Sequence, residues 1–469
     1  MKFCNGLVIF VSLATLLAFA GLIPLGPWHD EYFTLHNYHQ QGIGYLFARL
    51  LHWSPRPLSE ALSYLYGMAV YHFGSPLIGL FVASFWILLV AAMLLPGLQG
   101  TRRFLAPSVM LAMLLLGHPV AEVFYWPFGV VAYLPTLAAV VMLLALDWSG
   151  RIGSVAADAW IFVALMMAAA SSEVGALFTA IYIVLLIATR SLGSRRQGVI
   201  LAVPMMLSLT VLYLQYTGRV ADSNEVFGDP SVAHHPMMTL LAVAKHLLFE
   251  LLKGDKAQHT YMTLVTGLAT KLMFMLGIYL VMSAHQGQPD QRAQRMRLNL
   301  TIASLATATL VMAAALYNFG SLCCERHDTM RQGYVMVALA SMATYGAMRW
   351  PSRHRRFAGP ALLFALLIPL ATAIPKLTAE YRNYASKRQA SEKTWQSGQA
   401  SGPEMQITQT VPGPITGGLY IEPGIYQPVP AARDDVHWML TFFGKKSAVV
   451  AAPVGISGSS DQAHHETGG

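Results

Sequence analysis

Five short stretches hold the residues whose chemistry is hardest to explain as packing. They are "HDEYFTL" (29–35), "WSPRPLSEAL" (53–62), "EVFYWPFGVVAYLP" (122–135), "SSEVG" (171–175) and "CCERHDTMRQ" (323–332). Asp30 and Glu31 are neighbours, and successive positions of a helix face different ways, so at most one of them aims at a common point. A carboxyl group beside apolar surface has a raised pKa and serves as a general base. Equally, Asp30 can cap the helix that follows it. His29, His36 and His39 with Asp30 offer a loose divalent-metal set.

Arg56 stands between two prolines that stiffen the turn on both sides. A fixed guanidinium suits a phosphate or a carboxylate, and it also suits anchoring among lipid headgroups. Tyr125, Trp126 and Tyr133 lie at the edge of an apolar segment. A membrane aromatic belt explains them, and so does a stacking platform for a sugar ring. Glu122 and Glu173 are ionisable groups at the ends of apolar segments, where charge is costly and is kept for a function. Arg326, His327 and Arg331 share a polar knot with Glu325 and Asp328. Its arginines either stabilise a phosphate leaving group or close a salt-bridged helix cap.

The elements that must position these residues are membrane helices. Of the 469 residues, 55% are hydrophobic and 12% charged, and mean hydropathy is +0.48. A soluble domain carries about twice that share of charge. Residues 7–25 run 19 positions without a charge, long enough to cross a bilayer. Further apolar segments recur near 64–95, 104–120, 130–147, 156–171, 174–189, 198–216, 262–284, 298–317, 333–348 and 358–375, giving eleven expected spans. The first of these is read as an anchor rather than a signal peptide. The net charge of +8 reads as topology rather than as affinity for nucleic acid. The short loops "GTRRF", "SGRIG", "RSLGSRRQG", "QPDQRAQRMR" and "RWPSRHRR" carry most of the arginine. They fall on the side of the N-terminus, which the positive-inside rule makes cytoplasmic. All five chemistry-bearing stretches then share the opposite face. Three cysteines, two of them adjacent, give no disulfide framework.

Two outer stretches, 42–53 and 237–256, are amphipathic and expected to lie in the interfacial plane or to pack on the bundle. The fold expected is an all-α polytopic membrane protein. Residues 1–375 form the membrane module, and 376–455 a small extracytoplasmic appendage of a helix and short strands. A disordered tail is expected over 456–469.

Taken together, the acidic pair after the first span, the "SPRPL" step, the "YWPFGVVAY" edge, the acid of "SSEVG" and the late "ERHDTMRQ" loop resemble the integral-membrane glycosyltransferases of the GT-C superfamily. The likeness is to bacterial O-antigen glucosyltransferases of the Gtr II-like kind and related bacterial membrane families, and it runs loosely over most of the chain. It implies a polyprenyl-phosphate sugar donor and a surface glycan or lipid acceptor of the lipopolysaccharide type. It also implies a place in the bacterial inner membrane with the active face outside. Asp30 or Glu31 would be the catalytic base, and Arg56, Arg326 and Arg331 would hold the donor phosphate. Glu122, Tyr125, Trp126, Tyr133, Glu173 and His327 would contact substrate. A divalent ion, magnesium or manganese, stays open as a cofactor, since this chain has Asp-Glu where the commonest pattern is Asp-Asp. A surface-polysaccharide ligase or polymerase shares the donor and the face; the loop 217–261, with Arg219, His234, His235 and His246, is where it would differ. A transporter would show inverted repeats and charge near the midplane, and this sequence shows neither.

Overall fold

The computed structural model describes residues 2–23, 31–74, 76–94, 102–149, 154–192, 194–220, 229–252, 261–283, 291–322, 325–391, 403–408, 413–417, 424–427 and 435–451. Its helices run in chain order as α1 (Lys2–Ala20), α2 (Glu31–Gln41), α3 (Ile43–His52), α4 (Pro57–Phe73), α5 (Pro76–Leu94), α6 (Arg102–Gly117), α7 (Pro127–Trp148) and α8 (Val155–Ser171). They continue as α9 (Glu173–Ala188), α10 (Arg195–Gln215), α11 (Pro236–Leu252), α12 (Tyr261–Met282), α13 (Gln291–Phe319), α14 (Glu325–Arg349), α15 (Ala358–Ser391) and α16 (Asp435–Phe443).

The protein is a helical membrane protein. Among the described residues six segments are long and apolar enough to cross a bilayer: Leu77–Leu94, Pro127–Trp148, Arg195–Gly218, Leu264–Met282, Gln291–Phe319 and Arg355–Arg382. Cys4–Ala20, Phe104–Gly117, Val155–Ser171 and Glu173–Ala188 are shorter apolar helices. The expected span 333–348 falls within α14, which the bundle buries on nearly every side.

α7 is the axis of the bundle, packed by α5, α8 and α14. Every residue of it except Phe128 is buried, as expected of a helix apolar all round. At its C-terminal end the single Nε–H of Arg297 is shared between the two carboxylate oxygens of Asp147, at 2.7 and 2.6 Å.

The segment expected as one span over 64–95 is two helices. The chain breaks at Gly74, whose N–H closes α4 on the carbonyl of Val70 (2.8 Å), and Pro76 opens α5. Proline is favoured at the first position of a helix and cannot continue one. An apolar run hides such a break because hydropathy does not record direction.

α3 divides its apolar stripe. Leu46 is buried, while Ile43, Phe47 and Leu51 form an exposed row with Trp53 beyond it. α11 exposes Met237, Leu240 and Leu241. Beyond α15 the chain makes a three-stranded sheet from β1 (Glu404–Thr408), β2 (Gly424–Tyr426) and β3 (Ser447–Ala451), in the order β1-β3-β2. β1 runs parallel to β3 and β2 antiparallel to it. α16 lies against α2, burying Phe442 and Phe443 around Tyr32. The expected tail 456–469 lies outside the described residues.

Candidate functional site

At one end of α7 the chain turns sharply. Residues Ala121–Tyr125 form a single π-helical turn, a geometry frequent at functional sites. Gly129 admits this turn: a Cβ there would stand 1.7 Å from the carbonyl oxygen of Glu122. The turn sends consecutive aromatics in opposite directions. Tyr125 is fully buried, and its hydroxyl donates to the carbonyl of Phe19 (2.8 Å). Trp126 faces outward and lines a cavity of about 190 Å³. Tyr125, expected to contact substrate, is turned into the bundle and does not line this cavity.

The cavity is walled by α3, α4, the start of α7 and the start of α14. Three guanidinium groups reach it, those of Arg49, Arg56 and Arg326. Each is held by a carboxylate from another element. Arg56 Nε donates to Glu173 at 2.8 Å. Arg326 donates to Glu122 from both its backbone N–H (3.1 Å) and its side chain (3.3 Å). Arg49 grips Glu60 with two bonds, 2.7 and 3.1 Å. Between these pairs lie aromatic faces: Arg326 stands 5.4 Å over Trp126, and Arg56 5.8 Å over Tyr133.

Local sequence explains the placement. Arg56 is the cap residue of α4, with Pro57 in the first turn, so the two prolines fix where the guanidinium leaves the chain. Ser59 has one proton and stands within reach of the carbonyls of Val131 (2.8 Å) and Ser171 (2.6 Å), which ties α4 to α7 and α8. Ser172 caps α9 by accepting from the N–H of Gly175 (3.0 Å), leaving Glu173 in the first turn, where the helix dipole favours an acid.

His327 stands edge-on to Tyr133, ring centres 6.3 Å apart. Burial, with the charges of Arg326, Arg331 and Arg56 beside it, pushes its pKa down to about 3. Its imidazole is therefore neutral at any physiological pH. Arg331 does not line the cavity. It is buried and pairs with Asp328 at 3.2 Å, one helical turn away. The structure thus sets Arg56, Trp126, Tyr133 and Arg326 around the cavity with Glu122, Glu173 and His327 against them, while Arg331 is buried beside Asp328.

Asp30 lies outside the described residues, as does His29. Glu31 opens α2, with its side chain outside the described residues. By helical period, position 31 shares a stripe with Thr34, Leu35 and Tyr38. Thr34 stands 3.4 Å from Arg49, and the Tyr38 hydroxyl donates to Glu60 at 2.5 Å. His36 lies against Trp438 and His39 stacks on Tyr71. Among the described residues no three His, Cys, Asp or Glu gather as a metal set. In the loop 217–261, His234 packs against Tyr317, and none of residues 229–252 lines the cavity.

Glu60 and Arg49 escaped the sequence reading as a pair. Burial opposes the charge on Glu60, yet the bonds from Arg49 and Tyr38 hold its carboxyl below the usual range. An acid one turn after a proline-locked arginine in an apolar helix is the signal that marked it.

The site combines arginine–carboxylate pairs, ring faces and a neutral imidazole, residue types able to hold an anionic group beside a polar ring. Comparison with protein-family models, with curated proteins and with solved structures found no match to this chain.

Proposed function

We propose that this chain is a membrane glycosyltransferase of the GT-C kind. It moves a sugar from a polyprenyl-phosphate donor to a glycan or lipid acceptor outside the bacterial inner membrane. The observation that carries the reading is the convergence of Arg56 and Arg326 on one cavity with Trp126 and Tyr133, from segments up to 270 positions apart (326 − 56). In this reading the bundle has eleven spans, its N-terminus is cytoplasmic, and the cavity opens outward. An alkaline phosphatase domain fused after Ser391 is then active in cells, and a cytoplasmic reporter there is silent.

The donor's tail stays in the bilayer while its phosphate meets the arginines and its sugar lies against the aromatic faces. The acceptor oxygen attacks the anomeric carbon, and its proton passes to a carboxylate. The bond from that carbon to the phosphate oxygen breaks, and its electron pair leaves with the phosphate. Cations that meet this growing charge lower the barrier. His327, with a pKa near 3, is too weak a base for the proton, which favours the acids at 30 and 31. Asp30 or Glu31 fills that role, since α2 carries the stripe that runs past Arg49 and Glu60. Should a magnesium or manganese ion take part, carboxylates would hold it and it would share the phosphate charge.

The test is transfer from a panel of radiolabelled polyprenyl-phosphate sugars into membranes holding the protein, with and without chelator. Asp30→Asn or Glu31→Gln, whichever removes the base, lowers turnover per folded molecule by about 10²–10⁴-fold. Arg326→Ala lowers both donor affinity and turnover. Wild-type transfer in all three variants, or no transfer from any donor, sinks the reading.

A further inference from the structure

The turn between α14 and α15 reads "RWPSRHRRF" (349–357), and none of it lines the cavity. Every residue of it except Ser352 is exposed. Four arginines and a histidine share nine positions with two aromatic residues. Trp350 is 67% exposed and Phe357 49%. No Asp or Glu stands in the sequence between Asp328 and Glu380, and α12, which packs against the turn, has none either. Among the described residues no carboxylate pairs with Arg349, Arg353, Arg355 or Arg356.

The backbone of this turn is fixed by its neighbours. The Tyr279 hydroxyl of α12 donates to the carbonyl of Trp350. Ser352 Oγ accepts from the N–H of His354 (3.1 Å), and Arg355–Phe357 form one short 3-10 turn that runs into α15. The guanidinium groups therefore leave the chain around one small surface. Arg356 stands 4.9 Å over the ring of Phe357, so charge and apolar area meet there.

The apolar side of the turn continues along α15. Phe364, Leu367 and Ile374 are each about half exposed. Their spacing of three and seven residues puts them on one face of the helix, with Phe357 seven residues before Phe364 at its head. This face belongs to Arg355–Arg382, a segment long and apolar enough to cross a bilayer. The arginines thus stand at the end of an uncovered apolar stripe, and the end of a crossing helix meets lipid headgroups.

A phosphate beside arginines and a hydrocarbon chain along such a stripe come together in one molecule, an anionic phospholipid. An acidic protein would satisfy the arginines and leave the stripe bare. A zwitterionic lipid would cover the stripe, but its own cation offsets the attraction of its phosphate. From these observations we infer that the 349–357 turn is a binding site for an anionic phospholipid, with its phosphate among the arginines and its acyl chains along Phe364 and Leu367. Trp350 flanks the headgroup, a position tryptophan favours where headgroups meet hydrocarbon. The site takes no part in the proposed transfer and stands or falls apart from it.

Native mass spectrometry of the full chain in detergent, titrated separately with phosphatidylglycerol and phosphatidylcholine, tests the inference. Each arginine beside an anionic headgroup is worth about fivefold in affinity. Wild type therefore binds phosphatidylglycerol about tenfold or more tightly than phosphatidylcholine. Arg353→Gln with Arg356→Gln removes that preference and leaves phosphatidylcholine unchanged. Phe364→Ser weakens both lipids. A matched control, Arg190→Gln with Arg195→Gln, removes two exposed arginines from another turn and alters neither lipid. All these side chains are exposed, so the variants keep the wild-type melting temperature. Equal affinity of wild type for the two lipids overturns the inference. So does an equal loss in the control, which would show net charge acting without a site. Displacement of phosphatidylglycerol by excess inorganic phosphate would mark a plain anion site and overturn the lipid assignment. Unchanged lipid binding in Arg353→Gln with Arg356→Gln, with loss of a co-purifying acidic protein, would give the turn to a protein partner instead.

Discussion

Arg56 and Glu173 are 117 residues apart in the chain and 2.8 Å apart in space, with each side chain less than one-fifth exposed. The pair joins the cap of α4 to the first turn of α9. A partly screened, charge-assisted bond of this kind contributes about 1–2 kcal/mol. A double-mutant cycle of Arg56→Gln and Glu173→Gln, read by unfolding in detergent, therefore shows a coupling of that size. Strictly additive effects would mean that the contact is incidental.

Acid weakens the fold through His327. Its pKa falls from the ordinary 6.5 to about 3 in the folded protein, chiefly because of burial. Between those values the unfolded chain holds a proton that the folded chain refuses, so stability falls as pH drops through that window and is complete above 6.5. The depressed carboxyl of Glu60 adds a further loss as pH falls below its ordinary 4.5. Melting temperature against pH shows the slope, and His327→Gln flattens the part between about 6.5 and 4.5. An unchanged slope in that variant would assign the effect elsewhere.

The buried pair at the C-terminal end of α7 behaves differently from a surface pair. Asp147 and Arg297 are each under one-tenth exposed. Removing one partner strands the other, at a cost of about 3–5 kcal/mol. Asp147→Leu alone therefore destabilises strongly, whereas Asp147→Leu with Arg297→Met recovers most of the loss. Equal damage in the single and double variants would show that shape, not charge, matters there.

Gly413 has no room for a side chain. A Cβ at that position would stand 1.9 Å from a carboxylate oxygen of Glu380. Gly413→Ala pushes the loop off α15 and exposes the segment to protease. Glu380→Gln keeps the shape but weakens the charge-assisted bonds to Ile415 and Thr416, so it gives a milder form of the same phenotype. Limited proteolysis in detergent separates wild type, Gln and Ala in that order.

What the sequence made legible follows from physics that sequence records. Arginines, acids and a histidine set in apolar surroundings stand out because membranes make them costly. Arg56, Glu122, Trp126, Tyr133, Glu173, Arg326 and His327 were found in this way, and the structure brings them together. Direction is harder to read. Tyr125 and Trp126 are adjacent and similar, but a π turn that depends on Gly129 sends them to opposite sides. Arg331 carries the same guanidinium as Arg326, yet it is buried beside Asp328 and does not line the cavity. The Arg49–Glu60 pair depends on how α3 folds back against α4, and nothing in an 11-residue separation announces it. The break at Gly74 hides in an apolar run for the same reason.

The pairing of Glu122 with Arg326 has a consequence for how the protein is made. Glu122 and Arg326 are joined across 204 residues. At a synthesis rate of about 5–20 residues per second, Arg326 leaves the ribosome roughly 10–40 s after Glu122. During that interval α7 is already in the membrane, and Glu122 waits without the cation that will neutralise it. The cavity lacks that side of its lining until α14 arrives. The nascent protein therefore matures from its axis outward, and a chain arrested before α14 would carry α7 without the cavity at its end.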